Sequence, residues 1–286
     1  MSLVSKTISV PIDIVYQENL DLLEMKAHFH NCYELIYVID GTAEFTINDV
    51  VYNIGPNNMV FISHLEAHEL KVKTFPYKRY FILINPDFLH SIIKTPVLTS
   101  IFKHRPPHFK HIINIQTADQ PAISSLIGSM YNEIADKAAF WDTQLETGLQ
   151  TLMILLYRKY PVSFPSIQMN NISGLIFQIQ RYIEEYYSQD INLKDISRMY
   201  YTDMYYLSHN FKKITGYTFK EYLILQRISR AKDFLYYTSD DITMVGVKSG
   251  FNNVNHFIRI FKKVSGITPL QYRKKQLKTF SGNKSK

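Results

Sequence analysis

The chain has 286 residues, 46% hydrophobic and 20% charged, a composition that folds and a length that allows two domains with separate cores. Its one cysteine, Cys32, excludes an internal disulfide. No apolar run approaches the ~20 residues of a membrane-crossing helix, and residues 1–17 lack the basic-then-apolar pattern of an export signal. The expectation is therefore a cytoplasmic protein without a membrane partner.

The net charge of +7 is unevenly placed. Through Tyr160 there are 13 Lys/Arg against 16 Asp/Glu, whereas from Pro161 onward there are 19 against 9. A basic surplus confined to one half points to a polyanion-binding module joined to something with another task. Eight of the ten histidines lie before residue 112.

Residues 1 to about 115 read as short strands. The run 34–39 ends at Asp40-Gly41, 43–47 alternates before the turn pair Asn48-Asp49, 50–52 ends at 55–58, and 59–62 and 80–84 follow. Short strands punctuated by Gly, Pro, Asn and Asp predict an antiparallel barrel or sandwich. From Thr117 the period changes. Ile123, Leu126, Ile127, Met130, Tyr131 and Ile134, then Leu145, Leu149, Leu152, Met153 and Leu156, predict two amphipathic helices between about 118 and 160. Their stripes would either cover the barrel or form a dimer seam. Residues 161–173, with two prolines and no apolar periodicity, read as a linker.

Everything from 174 to 286 reads as helix: 175–187, 193–199, 204–214, 219–236, 243–248, 254–264 and 270–277. Within it lies an internal repeat. Phe211-Lys212-Lys213-Ile214-Thr215-Gly216-Tyr217-Thr218 recurs 50 residues later as Phe261-Lys262-Lys263-Val264-Ser265-Gly266-Ile267-Thr268, and Tyr222 and Tyr272 keep the offset. A repeat of this length is one supersecondary unit used twice. Each copy reads as a helix-turn-helix. Asp203 and Asn253 are N-cap candidates, Leu207, Phe211 and Ile214 or Phe257, Phe261 and Val264 form the buried stripe, and Gly216 and Gly266 end the helix.

That stripe turns Met204, Tyr205, Ser208, His209 and Lys212 outward in the first copy, and Val254, Asn255, Ile258, Arg259 and Lys262 in the second. Asn255 and Arg259 carry the chemistry that reads adenine and guanine edges, with Tyr205 and His209 at the matching positions. Lys212, Lys213, Lys262 and Lys263 are candidate phosphate contacts. The connecting helix could hold two reading helices about one duplex turn apart. Arg227, Arg230 and Lys232 on it are candidates for further backbone contacts.

The residues Ser249-Gly250-Phe251, Phe257, Arg259, Phe261-Lys262-Lys263, Gly266, Thr268-Pro269 and Tyr272-Arg273 resemble the AraC family of bacterial transcription regulators, over about residues 172–278. The resemblance implies two helix-turn-helix subdomains joined by a long helix, double-stranded promoter DNA and RNA polymerase as partners, a homodimer, and activation more often than repression. Carried over by position, its base-reading sites fall on Tyr205, Ser208, His209, Val254, Asn255 and Arg259. Met199-Tyr200-Tyr201-Thr202 departs from the smaller residues usual before the first cap.

In the other half, His28-Phe29-His30, Glu34 and Gly41 fit H-x-H-x3-E-x6-G and resemble the first motif of cupin barrels. His68 stands where the second motif's histidine would, but Ser63-His64-Leu65 replaces its usual Pro-x-Gly. Two or three imidazoles and a carboxylate suit Fe, Mn, Ni or Zn. The degraded second motif favours a sensor without metal or cofactor, in which His28, His30, Glu34, His68 and Tyr37 contact a small-molecule effector. The family and the aromatic interior (Phe29, Tyr33, Tyr37, Phe45, Phe61, Phe81) point to a carbohydrate.

The expected architecture is thus a cupin-like antiparallel barrel with two following helices (1–160) and an all-α double helix-turn-helix domain (174–286). The expected function is an effector-responsive DNA-binding regulator, not an enzyme. The alternatives are a metal-dependent cupin enzyme fused to a DNA-binding domain, with His28, His30, Glu34 and His68 as ligands, and an effector-free dimeric regulator.

Overall fold

The computed structural model describes residues 11–21, 23–106, 108–165 and 171–274, which fall into two compact units, one of described residues up to 165 and one from 171 onward. The first unit is built on seven antiparallel strands: β1 (Ile12–Asn19), β2 (Glu24–His28), β3 (Tyr33–Ile47), β4 (Val50–Ile54), β5 (Asn58–Ile62), β6 (His68–Ile84) and β7 (Ile112–Asn114). They form one sheet in the order β1-β6-β3-β5-β7, with β2 also on β6 and β4 also on β3. Strands β3 and β6 are long enough to take two partners each, which lets the sheet curl around a core of its own.

Gly41 was expected to end a strand; it is instead a bulge inside β3. Its φ of +73° is one that side-chain-bearing residues rarely adopt, and a Cβ there would stand 2.4 Å from the Pro76 carbonyl oxygen. The register slips here on both strands, from Asp40 opposite Lys78 to Thr42 opposite Thr74. A slip of this kind reverses which face each side chain takes. Ile36 and Val38 before the bulge, and Ala43, Phe45 and Ile47 after it, therefore share one interior, as do Leu70 and Val72 with Tyr77, Phe81 and Leu83 on β6. The Asn48-Asp49 turn is as expected, both residues having positive φ (46° and 65°) and pairing Ile47 with Val50.

The opposite face of the sheet carries Tyr33, Leu35, Tyr37, Phe61, Ile82 and Ile84 and is covered by helices. Two of these, α1 (Pro86–Ile92) and α2 (Pro96–Lys103), stand where strands were expected. Proline at the first helical position starts both, and the Asn85 side chain caps α1. The other two, α3 (Gln120–Asp136) and α4 (Trp141–Lys159), pack their stripes onto the sheet through Ile123, Ile127, Met130, Leu145, Leu149, Leu152, Met153 and Leu156. Covering the sheet thus consumes these apolar stripes. Of the expected linker, 161–163 form a 3-10 turn and Phe164 is buried against Tyr157, so these residues belong to the first unit. The stretch 166–170 lies outside the described residues, and helix starts at Asn171.

The second unit is helical: α5 (Asn171–Tyr186), α6 (Leu193–Met199), α7 (Met204–Thr215), α8 (Phe219–Tyr237), α9 (Ile242–Lys248), α10 (Val254–Ser265) and the helical residues 269–274. The repeat extends to individual interactions. Asp203 and Asn253 cap α7 and α10 through the amides of Tyr206 (2.8 Å) and His256 (2.9 Å). Phe211 meets Tyr222 edge-on at 5.5 Å as Phe261 meets Tyr272 at 5.6 Å. Thr218 with Glu221, and Thr268 with Gln271, form reciprocal caps in which each Thr amide donates to the partner's side-chain oxygen and each Thr hydroxyl oxygen accepts from the partner's amide. The copies differ in the turn. The long helices are offset by 50 residues, but α6 and α9 start 49 apart, so the second turn has one residue more. At the 49 offset, Tyr201 (φ 49°) matches Gly250 (φ 86°).

Two substitutions test this backbone. Gly41→Ala should lower first-unit stability by roughly 2–4 kcal/mol, since left-handed strain adds to overlap with a carbonyl. Tyr201 is 98% exposed, so Tyr201→Gly should raise second-unit stability by about 1 kcal/mol. Urea denaturation of each variant measures both.

Candidate functional site

On α7 the structure leaves Tyr205 (81% exposed), His209, Lys212 and Lys213 in solvent and Ser208 half-buried. These five, with Thr218, line a shallow groove of about 310 Å³. The first-copy base and phosphate candidates therefore share one surface. On α10, Asn255, Arg259, Lys262 and Lys263 are exposed, whereas Val254 and Ile258 are half-buried beside buried Phe257 and Phe261. Val264, expected in the buried stripe, is half-buried. The side chains of Tyr205, His209, Asn255 and Arg259 make no hydrogen bond or ion pair with the described residues. They are held in position by the helix alone.

The candidates on α8 fare differently. Arg227 donates from Nε to the Tyr187 carbonyl and from Nη2 to the Gln189 carbonyl, both at 2.8 Å. It joins α8 to the end of α5 and is not free for phosphate. Lys232 is buried, and burial pushes its amine down to about 7. Arg230 is half-buried and faces Asp233 at 3.8 Å. The expected backbone contacts from this helix are thus not supported: the residues face the packing side, where their long stems fill space.

In the first unit, His28, His30, Glu34 and His68 come together. His28 stands directly opposite His68 across β2 and β6. Glu34 Oε2 lies 3.0 Å from His30 Nε2 and 3.3 Å from His68 Nε2. Burial would raise the Glu34 carboxyl, but the two imidazoles beside it hold it well below the ordinary carboxylate range. Burial, with His68 and His30 close by, lowers His28 to about 3. Three imidazoles and a carboxylate form a donor set that fits a transition-metal ion. Tyr37, expected with them, does not join. It lies on the helix-covered face, where its hydroxyl hydrogen-bonds with Ser124 Oγ (3.2 Å). The reason is parity: 37 and 34 differ by an odd number within one uninterrupted stretch of β3.

Two groups escaped the sequence reading. Arg79 is 3% exposed and faces the interior opposite Val38 and Gln17. Its guanidinium lies over the rings of Tyr77 and Phe81, and its Nη2 donates to Gln17 Oε1 (3.0 Å). Its Nε and Nη1 are buried without a hydrogen-bond partner, and no carboxylate among the described residues pairs with it. Its spacing of two from both Tyr77 and Phe81 was the available signal. The second group centres on buried Glu66, which accepts from Arg105 Nε (3.1 Å) and Nη2 (3.0 Å), His111 Nε2 (2.9 Å), Asn48 Nδ2 (3.0 Å) and the Ser63 amide (2.8 Å). Burial opposes ionisation of Glu66, but Arg105 and His111 outweigh it and hold the carboxyl far down. No local pattern could have joined residues 48, 66, 105 and 111.

A strand-built unit with a polar interior, joined to a helical unit that repeats a capped helix-turn-helix, defines a ligand-binding transcription regulator. The comparisons agree. Residues 12–153 match the AraC-like ligand binding domain and residues 196–275 a helix-turn-helix domain. The chain belongs to the AraC family. It is 21% identical over 248 residues to the HTH-type transcriptional activator RhaS of Enterobacter sp. (strain 638), covering 86% of each. It is 32% identical over 108 residues, 37% of this chain and 51% of the relative, to the bifunctional transcriptional activator/DNA repair enzyme AdaA of Bacillus subtilis. The fold is similar to that of apo ToxT K231A from Vibrio cholerae, with a TM-score of 0.61 at 15% identity over 94% of this chain and 98% of that one. No helix among the described residues is long and apolar enough to cross a membrane.

The titrations predict acid lability. His28 binds its proton at about 3 in the folded chain against 6.5 ordinarily, so the unfolded chain takes up the proton first, and stability present above pH 6.5 drains away as pH falls. Lowered Glu34 and Glu66 add a second loss below the ordinary carboxylate value of 4.5. Urea midpoints from pH 8 to 4 should decline from about 6.5 downward, and His28→Asn should flatten the decline above 4.5.

Proposed function

We propose that the chain is a sequence-specific transcription activator that reads double-stranded DNA with α7 and α10. It responds to a small-molecule effector held inside the curled sheet and works as a cytoplasmic homodimer with RNA polymerase. One observation carries the DNA reading: two helices with matching caps present uncommitted side chains at the same register, Tyr205 and His209 on one and Asn255 and Arg259 on the other, with Ser208 and Val254 beside them. Lys212, Lys213, Lys262 and Lys263 flank them as phosphate contacts. Helix α8 has 19 residues, about 28 Å at 1.5 Å each, in keeping with two readers about one duplex turn apart.

Inside the sheet, Arg79 favours an effector with an anionic group over a neutral carbohydrate, because a buried guanidinium with two unpaired N–H groups lacks a counter-charge. A ToxT structure of similar fold holds an unsaturated fatty acid, which is a carboxylate.

Selection of genomic DNA at ~150 mM salt should recover a two-part motif with parts about ten base pairs apart; sequence-blind retention at every effector condition would sink the proposal. Arg259→Ala should cost ~1–3 kcal/mol and relax preference at one base pair, while Lys262→Ala and Lys263→Ala weaken all sequences alike and flatten the salt dependence. For the effector, Arg79→Met should leave the ligand-free unit as stable or more so, and abolish any rise in Tm that mono- and dicarboxylates of graded length give the parent.

A further inference from the structure

We propose that Arg227 is a positioning residue that, with Gly250, fixes the distance and angle between α7 and α10. It thereby sets the spacing that the chain accepts between the two parts of its DNA target. The spacing consequence rests on the proposed DNA reading; the geometry does not. A connecting rod alone leaves two readers free to turn. Helix α8 begins just after the Gly216 cap and ends at Tyr237, and the backbone beyond each end has no helical ladder to hold it. Two copies swivelling there would accept targets of several spacings.

The structure supplies a tie at the middle of the rod. Arg227 is the ninth of the 19 residues of α8. Its Nε and Nη2 donate to the carbonyls of Tyr187 and Gln189, in the connection from α5 to α6, each at 2.8 Å. That connection belongs to the first copy, since α5 packs on α7 and α6 follows directly. Tyr187 is also met at its ring by Arg230, at 5.6 Å. The Arg227 guanidinium lies in addition over the ring of Phe251, 5.9 Å from its centroid, in the turn before α10. Phe251 in turn packs on Phe257 of α10 at 5.2 Å and edge-on to His256 at 6.0 Å. One planar cation thus holds the first copy with its N–H edge and the second with its face. Turning α10 about α8 must break the two carbonyl bonds or slide Phe251 off the guanidinium.

Gly250 brings the second turn up against this tie. Its φ is +86°, and a Cβ there would stand 2.6 Å from the Tyr187 carbonyl oxygen, 2.8 Å from the Ser188 Cα and 2.9 Å from Arg227 Nε. Two of those atoms are backbone, so no change of rotamer relieves the overlap. The second turn therefore lies on the first copy's entry segment at a separation that only glycine allows. The first turn is placed differently: its matching residue, Tyr201, is 98% exposed, whereas Gly250 is buried. The tie is one-sided, with the second copy's turn seated on the first.

The test uses the full chain with Lys213→Cys and Lys263→Cys, both exposed and at matching places in the repeat, spin-labelled for a pulsed dipolar distance measurement. The parent without added cysteines checks that buried Cys32 takes no label. Expected is one narrow distance distribution. Arg227→Met or Gly250→Ala should broaden it roughly two-fold or more by freeing a hinge, and Lys220→Ala, at an exposed position of α8, should leave it unchanged. Arg227→Lys keeps the charge but lacks the fork that reaches two carbonyls, and should broaden it less. Each variant's urea transition reports whether it is folded, and Arg227→Lys decides if Arg227→Met does not fold. In unlabelled chains, moving the two parts of the selected motif one base pair closer or further should cut retention about 10-fold in the parent and less than about 3-fold in Arg227→Met. A folded Arg227 variant whose distance distribution matches the parent's overturns the proposal, as does one whose spacing preference is undiminished. Failure to select any motif bears on the proposed function, and the distance distributions then decide by themselves whether Arg227 holds the two helices.

Discussion

The first unit depends on a single slip of register. Strands β3 and β6 run antiparallel over nearly their whole lengths, and if they did so without interruption each face would keep one parity throughout. The bulge at Gly41 breaks that rule on both strands together, so that even positions early in β3 and odd positions late in it share an interior. Glu34 and Phe45 face the same space for this reason, as do His68 and Arg79. A residue with a Cβ could not hold the position, because the strand opposite comes too close. The polar interior is therefore a consequence of one backbone conformation, and the histidine cluster and the guanidinium are two ends of what it creates.

The other face of β3 imposes a second demand. Six consecutive residues from Tyr33 to Val38 are buried, which an antiparallel strand achieves only if both faces are covered. The interior covers one and α1 to α4 cover the other. This accounts for the number of helices a small sheet carries, and for Tyr37: its burial is real, but it belongs to the helix layer.

Where the sequence was legible, the signal was local or repeated. The second unit's helices were placed within a few residues because their caps, stripes and terminal glycines all lie within one turn of what they control, and because each copy checks the other. The histidine cluster was legible through its spacing, since alternation along a strand is also local. Arg79 was not, because a charge in a strand ordinarily signals the solvent face, and only the parity of its neighbours Tyr77 and Phe81 contradicts that. Nor was the Glu66 network, whose members come from four separate segments. Arg227 and Lys232 misled for a related reason: in a basic domain a cation on a long helix suggests phosphate, yet α8 is packed on several sides and spends these side chains on its own neighbours.

The two copies match in their caps and aromatic pairs but differ where they face outward: tyrosine and histidine on α7, asparagine and arginine on α10, with a turn one residue longer before the second. Two readers with the same side chains would call for two copies of one short sequence. Unlike readers call for two different ones, so the target we propose has two unequal parts, and exchanging those parts would change how well the chain holds it.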